Sequence, residues 1–422
     1  MTSLPQPGPA KLPIVIGLGT GQTLAFGTTL YLPAILAEPM AVELGIPPGW
    51  AFGAFSLALI FSAFLGPKAG ARIDQFGGRT VLAVSSLIFA VGLAMLGSAD
   101  SLTMMCLAWC VIGVGMSMGL YEAAFATLSW IYGLDARGPI TGITLIAGFA
   151  STICWPITAG LEAEFDWRTA CYFWAVMHIV LGLPLNLFLI PRQKAGDTPL
   201  SDHETGEHDN APKPQPAGVK LSRKDIFNTQ MVLLAIVFAA SWFTATAMAA
   251  HLPRLLQISG MDAAGALIAA SLVGPAQVAG RLLEFGFLKK MHPLISSRLS
   301  SLTHPVGAFL LLVFGGPVGM LFTSLHGIGN GILTIAKGTL PLATFGPVGY
   351  GARQGYIMAP SRFAQAAAPF LFGLLIDGYG EYALLLTIGL GFLTFIALMA
   401  LRVRPLRPTT KENDPKYETS NR

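Results

Sequence analysis

From Leu299 to Ala336 the chain runs for 38 residues without an acid, a lysine or an arginine. About 20 apolar residues in a helix cross the hydrocarbon of a bilayer, so this run is too long for one crossing. Gly315-Gly316-Pro317 in its middle ends one helix and begins another. The same yardstick sorts the rest of the chain. Leu12 to Ala37, Leu44 to Pro67, Thr80 to Ala99, Ser101 to Tyr132, Gly138 to Leu161 and Thr169 to Pro191 give six helices. Ile226 to Leu252, Ala263 to Gly286, the two parts of 299–336, Gly351 to Ile376 and Tyr382 to Leu401 give six more. The fold class is therefore all-α and integral to a membrane, with twelve transmembrane helices as two six-helix bundles. Helices are required because a lipid-exposed backbone must satisfy its own hydrogen bonds.

Composition supports that class: 11% of the residues are charged, against about a quarter in soluble domains. The polar, Pro-rich stretch 192–225 cannot bury a core. It divides the chain into an N-terminal bundle (1–191), a linker (192–225), a C-terminal bundle (226–402) and a tail (403–422). Basic residues favour the cytoplasmic side of short loops. With the N-terminus inside, Arg72, Arg79, Arg137, Lys289, Lys290 and the basic residues of linker and tail are cytoplasmic, and Arg168 and Arg254 are outside. The expected location is thus the inner (plasma) membrane, multi-pass, with both termini cytoplasmic. The four cysteines all fall in apolar runs. No phosphate loop, nucleophile elbow, dinucleotide fingerprint or metal-ligand cluster stands in a soluble segment, so neither an ATP-driven pump nor an enzyme is expected. No cofactor and no metal are expected either.

The two halves repeat. Tyr31-Leu32-Pro33 matches His251-Leu252-Pro253 at an offset of 220, and Gly70-x-x-x-Asp74 matches Gly280-x-x-x-Glu284 at 210. Gly113-x-Gly115 matches Gly327-x-Gly329 at 214, and Pro156-x-x-x-Gly160 matches Pro369-x-x-x-Gly373 at 213. Four matches in chain order imply two bundles of one topology, related by an axis along the membrane normal, with a site at their interface.

The stretch Gly70 to Arg79 is expected as a short loop between helices 2 and 3, with glycines at its tight turns. It resembles the signature loop of the major facilitator superfamily, roughly G-x-L-A-D-R-x-G-R-K. Gly70, Asp74, Gly77 and Arg79 match, whereas Arg72, Gln75 and Gly78 depart. Asp166-Trp167-Arg168 before helix 6 looks like the G-W-R of many members, and 119–125 and 334–341 resemble a bacterial permease-like subgroup. Two departures limit what the resemblance carries. Trp109 stands where proton-coupled exporters place an arginine in helix 4, and helix 5 keeps only Pro156 and Gly160 of their motif. The resemblance implies a secondary transporter that works by alternating access. It also implies that Gly70, Asp74, Gly77 and Arg79, with Arg281 and Glu284 of the second half, gate the pathway without touching solute.

Ionisable groups inside spans are costly and need a partner or a wet cavity. In the resembled fold helices 1, 4, 7 and 10 line the cavity, which places Glu122 and its neighbour Tyr121 there. His326, Asn330, Thr334 and Lys337 share one face of helix 10 by spacing, though Lys337 lies near the end and could snorkel. Arg362 falls near the midplane of helix 11 with Gln365 one turn on. Gln22 of helix 1 and Trp242 of helix 7 add a hydrogen-bonding group and an aromatic wall. The expected function is proton-coupled movement of a small solute, in the export direction. The alternatives are an uptake or exchange carrier for a small organic anion, metalloid efflux through Cys106 and Cys110, and a non-transporting membrane sensor. Expected partners are a small-molecule solute, the lipid bilayer and a proton or counter-solute, with no nucleic acid and with the chain acting as a monomer.

Overall fold

The computed structural model describes residues 11–192, 221–288 and 291–402. The expected tail and most of the expected linker lie outside them. Every regular element among the described residues is helical. Nine stretches are long and apolar enough to cross a bilayer, and two of these, Leu102–Glu164 and Tyr350–Ala400, each hold two passes. The first pass is not among the nine because it is broken in two. The described residues thus make twelve passes, six before the linker and six after it.

Pass 1 is α1 (Lys11–Gly27) and α2 (Pro33–Glu43), and pass 2 is α3 (Pro48–Phe76). Pass 3 is α4 (Gly78–Gly97), and pass 4 is α5 (Leu102–Gly119) with α6 (Tyr121–Tyr132). Pass 5 is α7 (Arg137–Ala147) with α8 (Ala150–Glu164), and pass 6 is α9 (Trp167–Met177), continued by wide π-helical turns to Leu189. A short helix α10 (Arg223–Ile226), held by a capping box between Ser222 and Asp225, leads to pass 7, α11 (Thr229–Ile258). Pass 8 is α12 (Ala263–Ser271) with α13 (Val273–Gly286), and pass 9 is α14 (Pro293–Phe314). Passes 10 to 12 are α15 (Gly319–Phe345), α16 (Tyr350–Tyr379) and α17 (Leu384–Ala400).

Two expectations are corrected. The stretch 70–79 is not a loop. Helix α3 runs on to Phe76, Gly77 alone turns at φ 77, and α4 begins at Gly78. At about 1.5 Å per residue its 29 residues span about 43 Å, well beyond about 30 Å of hydrocarbon. The surplus turns carry Lys68, Arg72 and Asp74 out of the lipid as helix. Pass 9, expected from Leu299, begins at Pro293 and includes Arg298. The Arg298 side chain donates to the Leu398 and Met399 carbonyls at the end of α17 (3.0 and 3.3 Å), where a cation complements the helix dipole.

Four passes expected as continuous helices are broken, and local chemistry accounts for two breaks. Pro33 has no N–H for the Thr29 carbonyl, and Pro275 has none for Ser271, so the helix ladder is interrupted at each. Pass 4 breaks at Leu120, which is extended (φ −86, ψ −174). Gln22 Nε2 of pass 1 donates to the Gly119 carbonyl at 2.7 Å, satisfying an oxygen that the break frees. Pass 5 breaks at Gly148 and Phe149.

Buried side chains of the first half form one core, and Leu342 and Tyr350 of the second half join it. The second half has two apolar cores, one around Leu255, Phe322 and Phe372 and one around Leu234, Phe238 and Leu398. Between them lies a polar layer. The halves meet at the end of the bundle where the chain enters and leaves, called here the near end. The outermost hydrogen bond between halves among the described residues is Ser56 to the Ala366 carbonyl, close to mid-depth. Toward the far end α8 packs on α1, α2 and α9, and α12 on α11, α13 and α15, each within its own half. The molecule is closed at the near end.

Candidate functional site

The break in pass 4 puts Glu122 in the first turn of α6, where free backbone N–H groups favour a negative charge. Its carboxylate faces the second half. Arg362 Nη2 of α16 donates to Oε1 and Oε2 at 3.1 and 3.0 Å. Lys337 Nζ of α15 lies 2.7 Å from Oε1, a charge contact without good hydrogen-bond alignment. The cations are 4% and 1% exposed and the carboxylate 14%. Gln365 accepts from Arg362 Nη1 at 3.0 Å. The Lys337 ammonium also sits 4.7 Å from the Trp242 ring centre and 5.7 Å from that of Tyr121, within range for cation–π attraction. A cavity of about 10 Å³, lined by Ser62, Ser117, Glu122, Met358 and Arg362 among others, adjoins the cluster.

The fold therefore brings together Glu122, Tyr121, Arg362, Gln365, Lys337 and Trp242, with Gln22 supporting the break beneath them. Lys337 does not snorkel to a wet end; it is fully buried against the carboxylate. One carboxylate faces two cations, so the cluster carries an unbalanced positive charge. Removing Glu122 leaves both cations uncompensated, and breaking a buried pair in this way costs about 3–5 kcal/mol, whereas removing one cation leaves the carboxylate paired with the other.

The polar face of pass 10 is divided. His326 and Asn330 point away from the cluster into a cavity of about 40 Å³ inside the second half, the polar layer between its two cores. His326 Nδ1 lies 2.9 Å from His304 Nδ1 there. Ser241, Ser300, Ser301, Thr303 and Thr394 of that lining spend their hydroxyl protons on carbonyls of their own helices. Thr334 likewise donates to the Asn330 carbonyl at 2.7 Å. Spacing on one helix face could not tell which part of the face looks across the interface and which into its own bundle.

Near-end closure rests on the signature stretch and its repeat. Gly351 and Ala352 N–H, at the start of α16, donate to the two Asp74 oxygens at 2.7 and 2.8 Å. The residue that would cap α16 is Gly349, which has no side chain, so a carboxylate of the other half does it. Gly70 is a contact glycine: a Cβ there would land on the Gly351 carbonyl oxygen, and one on Gly355 would meet Pro67 at 2.5 Å. Arg79 is half-exposed at the start of α4.

In the second half Glu284 pairs with Arg137 Nη2 at 3.2 Å, and Arg137 Nη1 also donates to the Met291 carbonyl at 2.8 Å. Arg137 opens α7 of pass 5, and by the 213-residue offset it corresponds to Tyr350, which opens α16. Asp74 and Glu284 thus each address the near-end start of the equivalent helix in the other half. The sequence reading did not single out Arg137. The repeat offset carried the signal. Arg168, before helix 6, holds the Gly97 and Ala99 carbonyls (3.0 and 2.7 Å) and Glu43 (2.8 Å). It ties passes 1, 3 and 6 together at the far end.

Comparison with known proteins agrees with this fold. A probable sulfoacetate transporter of Cupriavidus necator, SauU, is 32% identical over 121 residues, 27% of this chain and 28% of that protein. The multidrug resistance protein fnx1 of Schizosaccharomyces pombe is 29% identical over 123 residues, 29% of this chain and 23% of that protein. The chain thus aligns with about a quarter of the length of these curated relatives. Among solved structures, the human organic anion transporter MFSD10 superposes with a TM-score of 0.68 at 18% identity, covering 92% of this chain and 100% of that one. The E. coli fucose:proton symporter FucP gives 0.68 at 14% identity, covering 93% and 99%. At these identities the structures establish the shared fold. The sequence profile of the Major Facilitator Superfamily matches residues 20–322, and this chain belongs to that family of membrane transporters.

Proposed function

We propose that this protein is a proton-coupled secondary transporter of a small organic anion, with Glu122, Arg362 and Lys337 as its coupling site. One observation carries the reading: a largely buried carboxylate of one half is held between two fully buried cations of the other. Protonating Glu122 would remove the charge that binds the halves there and would release Arg362 and Lys337. An anionic solute could then replace the lost charge. Two cations against one carboxylate leave room for a solute anion rather than a cation. The relative named for sulfoacetate and the structural neighbour named for organic anions belong to the same chemical class.

The moving bodies in this reading are 1–191 and 226–402, joined by 192–225. The near end is cytoplasmic in the plasma membrane, as the distribution of basic residues implies. Asp74 and Glu284 close the near end when they cap or pair with the opposite half, and they do not touch solute. Alternating access then needs these contacts to open as the far ends come together.

The test uses purified protein in liposomes with an imposed pH gradient and a panel of small carboxylates and sulfonates, in both membrane orientations to read direction. Glu122→Gln is expected to lose accumulation driven by the pH gradient while still exchanging solute, because exchange needs rocking without net proton movement. Accumulation against a gradient by Glu122→Gln, with only a pH difference supplied, would overturn the assignment of Glu122.

A further inference from the structure

Arg281 of α13 is 5% exposed. Unlike Arg137, Arg168, Arg254, Lys337 and Arg362, it has no acid within ion-pair distance among the described residues. Its Nε and Nη1 have no hydrogen-bond partner among the described residues. Nη2 reaches only Gln277 Oε1, at 3.5 Å, the outer limit of such a contact. A guanidinium stays charged in such a place, and burying it without a counter-ion costs several kcal/mol. A cost of that size is retained where the group has work to do.

The gate does not need this arginine. At the offset of 210 that relates Gly70 to Gly280 and Asp74 to Glu284, position 281 corresponds to Ala71. The gate carboxylate is repeated and the arginine is not. Glu284, one turn nearer the near end, is engaged by Arg137 from the other half, and Glu122 is held by Arg362 and Lys337. Neither acid forms an ion pair with Arg281, although the second oxygen of Glu284 is without a hydrogen-bond partner among the described residues.

The guanidinium points into the interface. Side chains on a helix lean toward its N-terminus, and the N-terminus of α13 is its far-end side, so Arg281 rises from gate level toward mid-depth. There it lies against the break in pass 5, where a Cβ built on Gly148 would strike Nη1. The hydroxyls of Tyr31, inside the break in pass 1, and Tyr121, just after the break in pass 4, are within its electrostatic reach. Phe26 ties those rings together, 6.5 Å from Tyr31 and 4.4 Å from Tyr121 between ring centres. Three broken passes of one half thus converge on one uncompensated cation of the other.

We propose that Arg281 is the anchor for the transported anion, its side-by-side Nε and Nη2 donors taking two oxygens of a carboxylate or sulfonate beside Tyr31 and Tyr121 as the solute displaces the 3.5 Å Gln277 contact. This rests on the reading of the protein as an organic-anion transporter. It separates two tasks within that reading: Arg362 and Lys337 answer to Glu122 and the proton, and Arg281 answers to the solute. Guanidinium suits the task because its planar N–H groups match the spacing of carboxylate oxygens.

The experiment is thermal unfolding of the purified full chain in detergent with sodium salts of acetate, malonate, methanesulfonate and sulfoacetate, compared with equal sodium chloride and with neutral malonamide. At least one of the four anions should raise the melting temperature of the wild type in a saturable way, and malonamide should not. Arg281→Met should abolish that rise, Arg281→Lys should weaken the apparent affinity at least tenfold, and Gly148→Ala should weaken it by displacing the guanidinium with every charge kept. If Arg281→Met elutes as folded protein and is stabilised like the wild type, the anchor assignment fails and the anion reading stands. If Arg281→Met does not fold, unchanged affinity in both Arg281→Lys and Gly148→Ala overturns the assignment. If none of the four anions stabilises the wild type, both readings fall together.

Discussion

Asp74 offers the sharpest test of how the near end is held shut. Its carboxylate receives two backbone N–H groups at the start of α16, so the closed state holds two charge-assisted hydrogen bonds at a helix N-terminus. Each such bond contributes about 1.5–3 kcal/mol. When the end opens, water takes over both sides, and the clamp favours closure by less than the gross sum. Asp74→Asn keeps one acceptor, sets an NH₂ against the second N–H and removes the charge. A loss of about 2 kcal/mol is reasonable, or roughly 30-fold in the closed-to-open ratio at about 1.4 kcal/mol per factor of ten. Asp74→Ala removes both bonds, for about 3.5 kcal/mol and roughly 300-fold. Phe76 and Val348 flank the clamp, one in each half, and are 51% and 47% exposed, so both accept spin labels. Pulsed dipolar distances in liposomes should show a single short population in the wild type, a second longer one in Asp74→Asn, and mostly the longer one in Asp74→Ala. Transport should slow in both, with solute affinity changed only a few-fold. Identical distance distributions in wild type and Asp74→Ala would refute the clamp. A large loss of affinity at normal turnover would place Asp74 in the binding site instead.

Two further predictions rest on other features. Gly70→Val should open the same end by steric force, since a Cβ there meets the α16 backbone rather than a movable side chain; the same label pair should report it, and a distance distribution like that of the wild type would show that the helices can shift at little cost. A cysteine placed at Asp202 should react with impermeant reagents from the cytoplasmic side alone, and labelling on intact cells would reverse the orientation.

The number of passes, their division into six and six and the repeat between the halves were legible in the sequence. Each follows from a local rule: a charge is costly in hydrocarbon wherever the helix around it goes, and about 20 residues span the membrane whatever they pack against. The same cost made Glu122, Arg362 and Lys337 stand out before any contact was visible. Which partner each charge would find was not legible. These helices are apolar nearly all round, so periodicity does not say which face meets lipid, a sister helix or the other half. Only the tertiary structure decided that Lys337 turns to Glu122 while His326, three turns away on the same face, turns to His304. It also decided that Glu284 takes Arg137 rather than its neighbour Arg281. The breaks in passes 1, 4, 5 and 8 belong partly to each level. Pro33 and Pro275 mark two of them in the sequence, but the break at Leu120 depends on Gln22, 97 residues away, reaching the carbonyl of Gly119. Contacts of that separation are set by how the helices assemble, and a single sequence records them only as residues that could not afford to face lipid.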